Sequence, residues 1–314
     1  VSAREINKFH GTFLSSIMRY QVNGRIHGEI NQLRGDNGGT VSGRLSMSNP
    51  NLQQVPARNK DFGPKIRSLF IPEEGYKWGS FDYSQQEPRM TVHYAASIGD
   101  GYEGSNELVE AYQNASADFH QTVADLVGIE RTQAKTIGLG LMYGMGKNKL
   151  AISLGVTKDE ADELIPKYNK KVPFIKKLSD RCKYAADEKG VIRTKKGRKC
   201  RFDLWETRDF GLHIAEKYED AVAKYGKDNI KRAYTYKALN RLIQGSSADQ
   251  TKQSMLDCYN AGHLPMLQIH DELCFNVKDD NHAQKIKNIM QESIKFKVPS
   301  VVEYGLGESW GDAK

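Results

Sequence analysis

The chain has 314 residues, 39% of them hydrophobic, and its 46 Lys and Arg residues outnumber 39 Asp and Glu residues, giving a net charge of +7. Such a chain can bury a real core as one large domain or two to three subdomains. Its basic balance favours a polyanionic partner, with an ordinary basic protein as the alternative. Its four cysteines form no Cys-X-X-Cys pair and no apolar run reaches transmembrane length, which argues against a zinc site, a redox motif and a membrane partner.

The first predicted elements lead to a strand that ends in an aspartate. Residues 3–20 carry apolar side chains at helical spacing and predict an amphipathic helix, and 25–32 alternates enough to predict a strand. Residues 76–83 predict a strand that ends at Asp82. Pro88 suits the first turn of the helix that follows. The chain then reads as mostly helical to about residue 185, with breaks expected at Gly128, Gly155 and Pro173.

One predicted helix carries a stripe of chemically distinct side chains. In 131–144 (RTQAKTIGLGLMYG), side chains four residues apart share one face, and they are Arg131, Lys135, Leu139 and Tyr143. Two cations suit the phosphates of a nucleotide, and an apolar residue followed by a ring suits its sugar and base. The alternative is a solvated basic turn followed by core residues.

A predicted hairpin near the carboxyl end presents a second aspartate. Residues 266–269 and 273–277 predict its strands, with His270, Asp271 and Glu272 as the turn. If Asp82 and Asp271 lie close in space, they can bind two divalent metals about 3.5–4 Å apart, an arrangement used for displacement at phosphorus. Ordinary turn chemistry also places aspartate at strand ends, so the pair alone is a weak signal.

These segments, in this order, resemble motifs A, B and C of the family A DNA polymerases, the group of bacterial DNA polymerase I and its phage relatives. Motif A is carried by 81–87 (FDYSQQE), motif B by 131–144 and motif C by 268–272 (QIHDE). Three further stretches also resemble the family, namely 42–56 (SGRLSMSNPNLQQVP), 240–249 (NRLIQGSSAD) and 303–310 (EYGLGESW). The resemblance covers nearly the whole chain, and several ordered motifs are more specific than any one of them.

The resemblance implies an α+β fold, the right-hand polymerase architecture with an antiparallel-sheet palm, a helical fingers subdomain and a largely absent thumb. The implied segments are a thumb remnant or connecting helix at 1–22, palm at 23–86, fingers at 87–240 and palm again at 241–314. Within the fingers, 203–235 is longer than in bacterial members and is expected to be a surface insertion. Since the family has upstream domains, the chain is expected to be a fragment or processed piece.

For catalysis, the resemblance implies that Asp82 and Asp271 bind two Mg²⁺ ions, with Mn²⁺ able to replace them. The backbone carbonyl of Tyr83 is expected to assist, and Glu272 is either a direct ligand or an outer acid. Lys135 is the implied general acid for the departing pyrophosphate.

A larger set is implied to bind substrates. The nucleotide contacts are expected from Arg131, Lys135, Leu139, Tyr143, His120, Glu87 and Gln85. Among them, His120 contacts a phosphate, Tyr143 stacks at the templating position and Glu87 excludes a 2′-hydroxyl. The primer and template contacts are expected from Arg44, Asn51, Gln54, Asn240, Gln244 and His270. The basic run 193–201 (RTKKGRKCR) is expected to contact phosphates, with a solvated loop as an equal alternative.

Some positions depart from the bacterial pattern. Leu139 stands where most members carry Phe or Tyr, which predicts altered use of dideoxynucleotides. Gly138 replaces a usual Asn and, with Gly140, adds flexibility to the helix. Gln86 and Pro88 favour a phage-like branch.

The implied function is template-directed addition of deoxynucleoside monophosphates to a primer 3′-hydroxyl with release of pyrophosphate. The expected partners are primer–template DNA, deoxynucleoside triphosphates and a processivity factor, for a monomer in the cytoplasm, that of the host if the chain is phage-encoded. Two alternatives remain open. One is a relative of the single-subunit RNA polymerases, against which Glu87 and the run 82–85 argue. The other is a DNA-binding fragment that is inactive without its upstream domains.

Overall fold

A computed structural model describes residues 3–33, 38–56, 59, 61–113, 118–209, 211 and 214–313. The strands are β1 Gln21–Val22, β2 Arg25–Ile26, β3 Glu29–Asn31, β4 Ser46–Ser48, β5 Lys77–Tyr83, β6 Val191–Arg193, β7 Lys199–Arg201, β8 Trp205–Thr207, β9 Ile230–Arg232, β10 Pro265–Ile269, β11 Glu272–Val277 and β12 Val302–Gly307. The α-helices are α1 Ala3–Lys8, α2 Ser16–Met18, α3 Gly63–Arg67, α4 Gln86–Ala96, α5 Ser105–Gln113, α6 Phe119–Val127, α7 Arg131–Met142, α8 Lys147–Leu154, α9 Lys158–Lys171, α10 Pro173–Lys189, α11 Tyr218–Tyr225, α12 Ala238–Asn260 and α13 Asp280–Glu292.

The chain divides into two compact units. The first comprises Val1–Gln86, Ser247–Lys295 and Ser300–Lys314, and the second comprises Glu87–Ser246 and Phe296–Pro299. The assignment of chain segments to palm and fingers stays a prediction. Helices combined with an antiparallel sheet confirm the predicted α+β class. Within the described part of the chain, no helix is both long and apolar enough to cross a membrane.

The first unit is built on a four-stranded antiparallel sheet with the order β10-β11-β5-β12. Side chains alternate between its faces. On one face Phe81 is fully buried against Phe275 and Tyr304, with ring centroids 5.5 and 5.4 Å away. On the other face Trp78 stacks on Trp310 at 5.9 Å. Because both faces of β5 are packed, its position in the sheet is tightly fixed.

The predicted carboxyl-terminal hairpin is present, but its turn is shorter than predicted. β10 pairs with β11 from Ile269 and Glu272 onward, so only His270 and Asp271 form the turn. His270 has a left-handed φ of 56°. Glu272 is therefore the first residue of a strand, and its assignment to the turn was wrong, because it pairs with both Ile269 and Asp82.

The amino-terminal prediction was partly right. The chain is helical from Ala3 to Met18, with a π-helical stretch at Phe9–Ser15 between α1 and α2. The strand expected at 25–32 is instead two short strands, β2 and β3. β2 folds back on β1 and β3 pairs with β4, so the two halves have different partners.

The second unit is mainly helical, and its helices end where the sequence predicted. Gly128 and Gly155 close α6 and α8 with left-handed φ values of 70° and 69°, a conformation that favours glycine. Pro173 is the first residue of α10. In the expected insertion 203–235, β8 pairs with β9 and α11 lies between them in the chain.

Gly79 tests how tightly the central strand is packed. A Cβ atom there would lie 2.5 Å from Val277 Cγ2 and 2.8 Å from Phe81 Cε2. Gly79→Ala should therefore lower the free energy of unfolding by about 1–3 kcal/mol through overpacking. Gly11→Ala is the control, because a Cβ at Gly11 has nothing within 4 Å, and it should be neutral or stabilise by up to about 1 kcal/mol. Urea unfolding measures both, and equal stabilities would contradict the tight packing.

His93 links helix α4 to the short returning segment of the second unit. Its Nδ1 accepts a 3.1 Å hydrogen bond from the Lys297 backbone N–H, and its ring lies edge-on to Phe296. Only 6% of the residue is exposed. Burial, followed by the charges of Lys195 and Lys297, lowers the pKa of His93 to about 4. The folded protein therefore holds this imidazole neutral.

Acidification should destabilise the protein through His93. An unfolded histidine takes up its proton near pH 6.5, whereas folded His93 does so near pH 4. Between these values the unfolded state binds more protons than the folded state. The contribution of His93 to the free energy of unfolding is therefore complete above pH 6.5 and falls as the pH drops towards 4. Urea unfolding at pH 7.5 and at pH 4.5 measures the effect. Between these two pH values the free energy of unfolding should fall by about 2 kcal/mol less in His93→Gln than in the unsubstituted protein. An equally steep loss in the variant would contradict this assignment.

Candidate functional site

A row of carboxylates crosses the central sheet. Asp82 on β5 pairs with Glu272 on β11 and with Glu303 on β12, so the three side chains share one face. Desolvation and then the charges of Asp271, Glu272 and Glu303, in decreasing order, together raise the pKa of Asp82 to about 7. Asp82 nevertheless remains exposed to solvent. The structure therefore concentrates negative charge around an accessible carboxylate.

Glu272 is held towards the sheet rather than left free. Its Oε1 accepts hydrogen bonds from Trp310 Nε1 at 3.3 Å and from Cys274 Sγ at 3.5 Å. Trp310 in turn stacks on Trp78 and carries the Arg67 guanidinium at 4.2 Å from its ring. These contacts favour an outer role for Glu272 over direct metal ligation.

The donor set fits magnesium better than a closed protein cage. Within the described ranges, no group of three or more His, Cys, Asp and Glu side chains is arranged to hold a metal by itself. Magnesium is usually held by one or two carboxylates, with waters and substrate phosphates completing its octahedron. Asp82 and Asp271 match that pattern. The Tyr83 hydroxyl is unsuitable, because it is buried and donates to Met290 O at 2.6 Å, which leaves the backbone carbonyl as the predicted contribution.

The predicted stripe on helix α7 faces solvent. Arg131 and Lys135 are exposed, Leu139 is half-buried and Tyr143 is 36% exposed at the carboxyl cap. The opposite face is buried and includes Ala134, Ile137, Gly138 and Met142. A Cβ at Gly138 would lie 2.9 Å from the hydroxyl of buried Tyr168. A side chain at this position would have to displace the Tyr168 hydroxyl, so the packing here favours glycine.

Arg131 is held by an acid that the sequence reasoning missed. Asp118 Oδ2 accepts from Arg131 Nε at 2.9 Å and from Nη2 at 2.6 Å. Its other oxygen caps helix α6 by accepting from the backbone N–H groups of His120 and Gln121. Burial alone would raise the pKa of Asp118, but the Arg131 and backbone hydrogen bonds hold it below its usual value. The sequence did contain a signal for this contact, namely an aspartate at a helix-capping position two residues before the predicted phosphate-binding histidine.

His120 is buried and neutral in the free protein. Only 5% of the residue is exposed. Burial lowers the pKa of His120 to about 4. The charges of Lys135 and Arg131 also lower this pKa, whereas the charge of Asp118 raises it. Its Nδ1 is a buried atom without a hydrogen-bond partner among the described residues. The neutral imidazole therefore keeps one ring nitrogen whose hydrogen-bonding capacity is unused within the described residues.

Glu87 and Tyr143 meet directly. The Tyr143 hydroxyl donates a 2.6 Å hydrogen bond to Glu87 Oε2, joining the first turn of α4 to the end of α7. One turn after Glu87, the Thr91 hydroxyl donates to the Glu87 backbone carbonyl and lies 2.9 Å from Met142 Sδ. The acid is therefore fixed beside the ring by contacts within the second unit.

The other predicted contacts are spread over both units. In the first unit, Asn51 caps a 3₁₀ turn by accepting from Gln53 N at 3.1 Å, while Gln54 and His270 are exposed. Half-buried positions are occupied by Arg44, Gln85, Asn240 and Gln244, the last two on α12. The sequence reasoning also missed Gln53 and Gln268. Gln53 Nε2 donates to Gln268 Oε1 at 2.9 Å, and Gln268 Nε2 donates to His270 O at 2.6 Å, which steadies the turn.

Comparison with known proteins gives one consistent answer. The family model described as DNA polymerase family A matches residues 1–312. A DNA-directed DNA polymerase of Pseudomonas phage M6 is 39% identical, over 98% of this chain and 50% of that protein. DNA polymerase I of Pseudomonas aeruginosa is 31% identical, over 99% of this chain and 32% of that protein.

A solved structure agrees with the sequence relatives. The POL domain of Pol1 from M. smegmatis, in complex with DNA primer-template and dNTP, superimposes with a TM-score of 0.78 and 27% identity, covering 99% of this chain and 52% of that one. The chain spans half or less of the length of the relatives named above. The ordered motifs, the antiparallel sheet and the match over almost the whole sequence establish that the chain belongs to DNA polymerase family A.

Proposed function

We propose that this chain is the polymerase part of a DNA-directed DNA polymerase, which adds deoxynucleoside monophosphates to a primer 3′-hydroxyl and releases pyrophosphate. The observation that carries the proposal is the register of the central sheet, which places Asp82 beside Glu272 and next to the turn that holds Asp271. Burial, followed by the charges of the neighbouring carboxylates, raises the pKa of Asp82, and a bound cation would favour its ionised form. The phage and bacterial relatives support the same activity.

In this proposal Asp82 and Asp271 hold two Mg²⁺ ions, with the Tyr83 carbonyl assisting. When bound, the metals supply Lewis acidity, which lowers the pKa of the attacking hydroxyl and neutralises charge on the phosphates. Crowding by Glu272 and Glu303 increases the attraction for cations. Mn²⁺ also fits this set of oxygen ligands.

The nucleotide is bound by the exposed face of helix α7. Arg131, Lys135 and His120 contact the triphosphate, and the Lys135 ammonium gives a proton to the leaving pyrophosphate. Leu139 provides apolar contact for the base and sugar. Tyr143 contributes its ring at the templating position, as the exposed end of the same stripe. Gln85 adds a contact near the strand end.

The DNA contacts and the cellular context are further proposals. Primer and template are contacted by Arg44, Asn51, Gln54, Asn240, Gln244 and His270. The cytoplasmic location, the monomeric state and the processivity factor stay predictions.

Primer extension tests the proposal directly. With primer–template DNA and four deoxynucleotides, the chain should extend the primer in Mg²⁺ or Mn²⁺ and stop in EDTA. Asp82→Ala should lower the rate roughly 10³-fold, equivalent to about 4 kcal/mol of barrier. Glu74→Gln is the matched control, because Glu74 is an exposed acid of the same unit. Salt-sensitive DNA binding without extension would overturn the proposal and favour the inactive DNA-binding fragment.

Sugar discrimination tests the Glu87–Tyr143 pair. Glu87→Ala should raise the efficiency of ribonucleotide over deoxynucleotide incorporation about 10–100-fold, because the acid no longer excludes the 2′-hydroxyl. Tyr143→Phe should give a smaller rise, up to about 10-fold, since it removes only the hydrogen bond that fixes the acid. Glu110→Ala, an exposed acid on α5, is the control. Single-nucleotide incorporation kinetics measure the ratio, and a parent chain that prefers ribonucleotides would instead support the RNA polymerase alternative.

A further inference from the structure

The second unit carries a hairpin with cations crowded on its outer face. β6 and β7 pair antiparallel, with Arg193 opposite Lys199 and Val191 opposite Arg201. Ile192 and Cys200 point the other way and are buried. Like charges placed directly opposite each other in a two-stranded sheet are unfavourable. Among the described residues, Arg193, Lys199 and Arg201 have no carboxylate within ion-pairing distance.

The expected insertion contributes a fixed cation to the same place. Arg232 on β9 donates to Asp187 O at 3.2 Å and to Phe202 O at 3.0 Å, and it lies 4.6 Å from the Trp205 ring centroid. Gly190 leaves room for it, because a Cβ there would come within 2.7 Å of Arg232 Cζ. The charge of Arg232 is thus held rigidly against the hairpin.

Hairpin and insertion together border an open cleft of about 230 Å³. Its charged lining consists of Lys189, Arg193, Lys199, Arg201, Arg232 and Asp203. Five cations face one acid. The basic track also continues around the hairpin tip through Lys195, Lys196 and Arg198, with no acidic residue between 189 and 202.

We propose that this basic cleft binds the phosphate backbone of single-stranded DNA. Cations two residues apart along β7 are about 6.8 Å apart by the rise of a strand, which suits successive phosphates. A long cationic track matches an anion repeated at every nucleotide better than it matches a peptide, in which so many consecutive carboxylates are uncommon. The bound strand is the unpaired template or a displaced strand, and in this the inference rests on the proposed function.

Binding of a fluorescent oligo-dT of about 20 nucleotides, measured by anisotropy in EDTA without nucleotides, tests the cleft. The triple variant Arg193→Gln, Lys199→Gln, Arg201→Gln should bind about 10-fold more weakly, with a salt slope smaller by about 2, since each single-strand phosphate contact contributes about 0.7. The control, Lys158→Gln, Lys170→Gln, Lys171→Gln, removes three exposed cations from α9 of the same unit. The charge-preserving variant Arg193→Lys, Lys199→Arg, Arg201→Lys should restore binding.

Substrate design identifies the strand. If the cleft variant loses binding only to templates with long overhangs, the strand in the cleft is the unpaired template. If it loses binding only to gapped duplexes with a downstream strand, the strand in the cleft is the displaced strand. Either result supports the inference. Equal losses in the α9 control, unchanged binding in the cleft variant, or tighter binding of a poly-glutamate peptide than of oligo-dT would each overturn it.

The same variants separate this inference from the proposed function. Extension on a template with a one-nucleotide overhang should be reduced less in the cleft variant than extension on a template with a long overhang, because the short overhang offers the cleft fewer unpaired phosphates. If the parent chain fails to extend any primer but the cleft variant loses oligo-dT binding, the proposed function fails and the cleft stands. If extension succeeds and oligo-dT binding is unaffected, the cleft fails alone.

Discussion

Repulsion among the carboxylates around Asp82 is the constraint on which the first unit depends. The pairing of β5 with its two neighbours fixes Asp82 beside Glu272 and Glu303, so the chain cannot relax by moving one acid without breaking its central sheet. Packing makes this tolerable. Burying Phe81 and Trp78 contributes about 2–3 kcal/mol each, which exceeds the cost of like charges at a site that remains open to water. The aromatic core therefore holds the acids together in the free protein.

In the second unit, one acid orders two residues of the predicted phosphate site. Asp118 caps α6 and binds Arg131 at the same time, so one carboxylate sets both the position of His120 and the direction of the guanidinium. The ion pair is partly exposed and therefore weak. A triphosphate, with several charges, competes favourably with a single carboxylate. The pairing thus orders Arg131 in the free protein, and it would still allow the phosphate contact that the proposed function assigns to this residue.

Local signals in the sequence predicted what local physics determines. Glycines in the left-handed conformation end helices α6 and α8, and the strand predicted at 76–83 is β5, because these features depend on neighbouring residues. Prediction from the sequence failed where the local structure depends on which strands pair with each other. Whether Glu272 belongs to a turn or a strand depends on Asp82, which is distant in the chain, and the break in 25–32 depends on two different partner strands. The Asp118–Arg131 pair and the Gly138–Tyr168 contact join separate helices, and no periodic pattern reports them.

Both units concentrate like charges that a folded chain would otherwise avoid, and this is an argument about function rather than stability. The acids around Asp82 attract cations, and the cations opposite each other on β6 and β7 attract anions. Neither arrangement follows from the core, because aromatic packing would hold β5 equally well with neutral residues on its open face, and Ile192 with Cys200 would hold the hairpin equally well. Elsewhere on the second unit, ordinary surface ion pairs such as Lys176 with Asp180 neutralise charge locally. Where the chain leaves repulsion unrelieved, a bound ion of opposite charge would relieve it, and this is the part that the proposed metals would play at the first site and the proposed phosphates at the second.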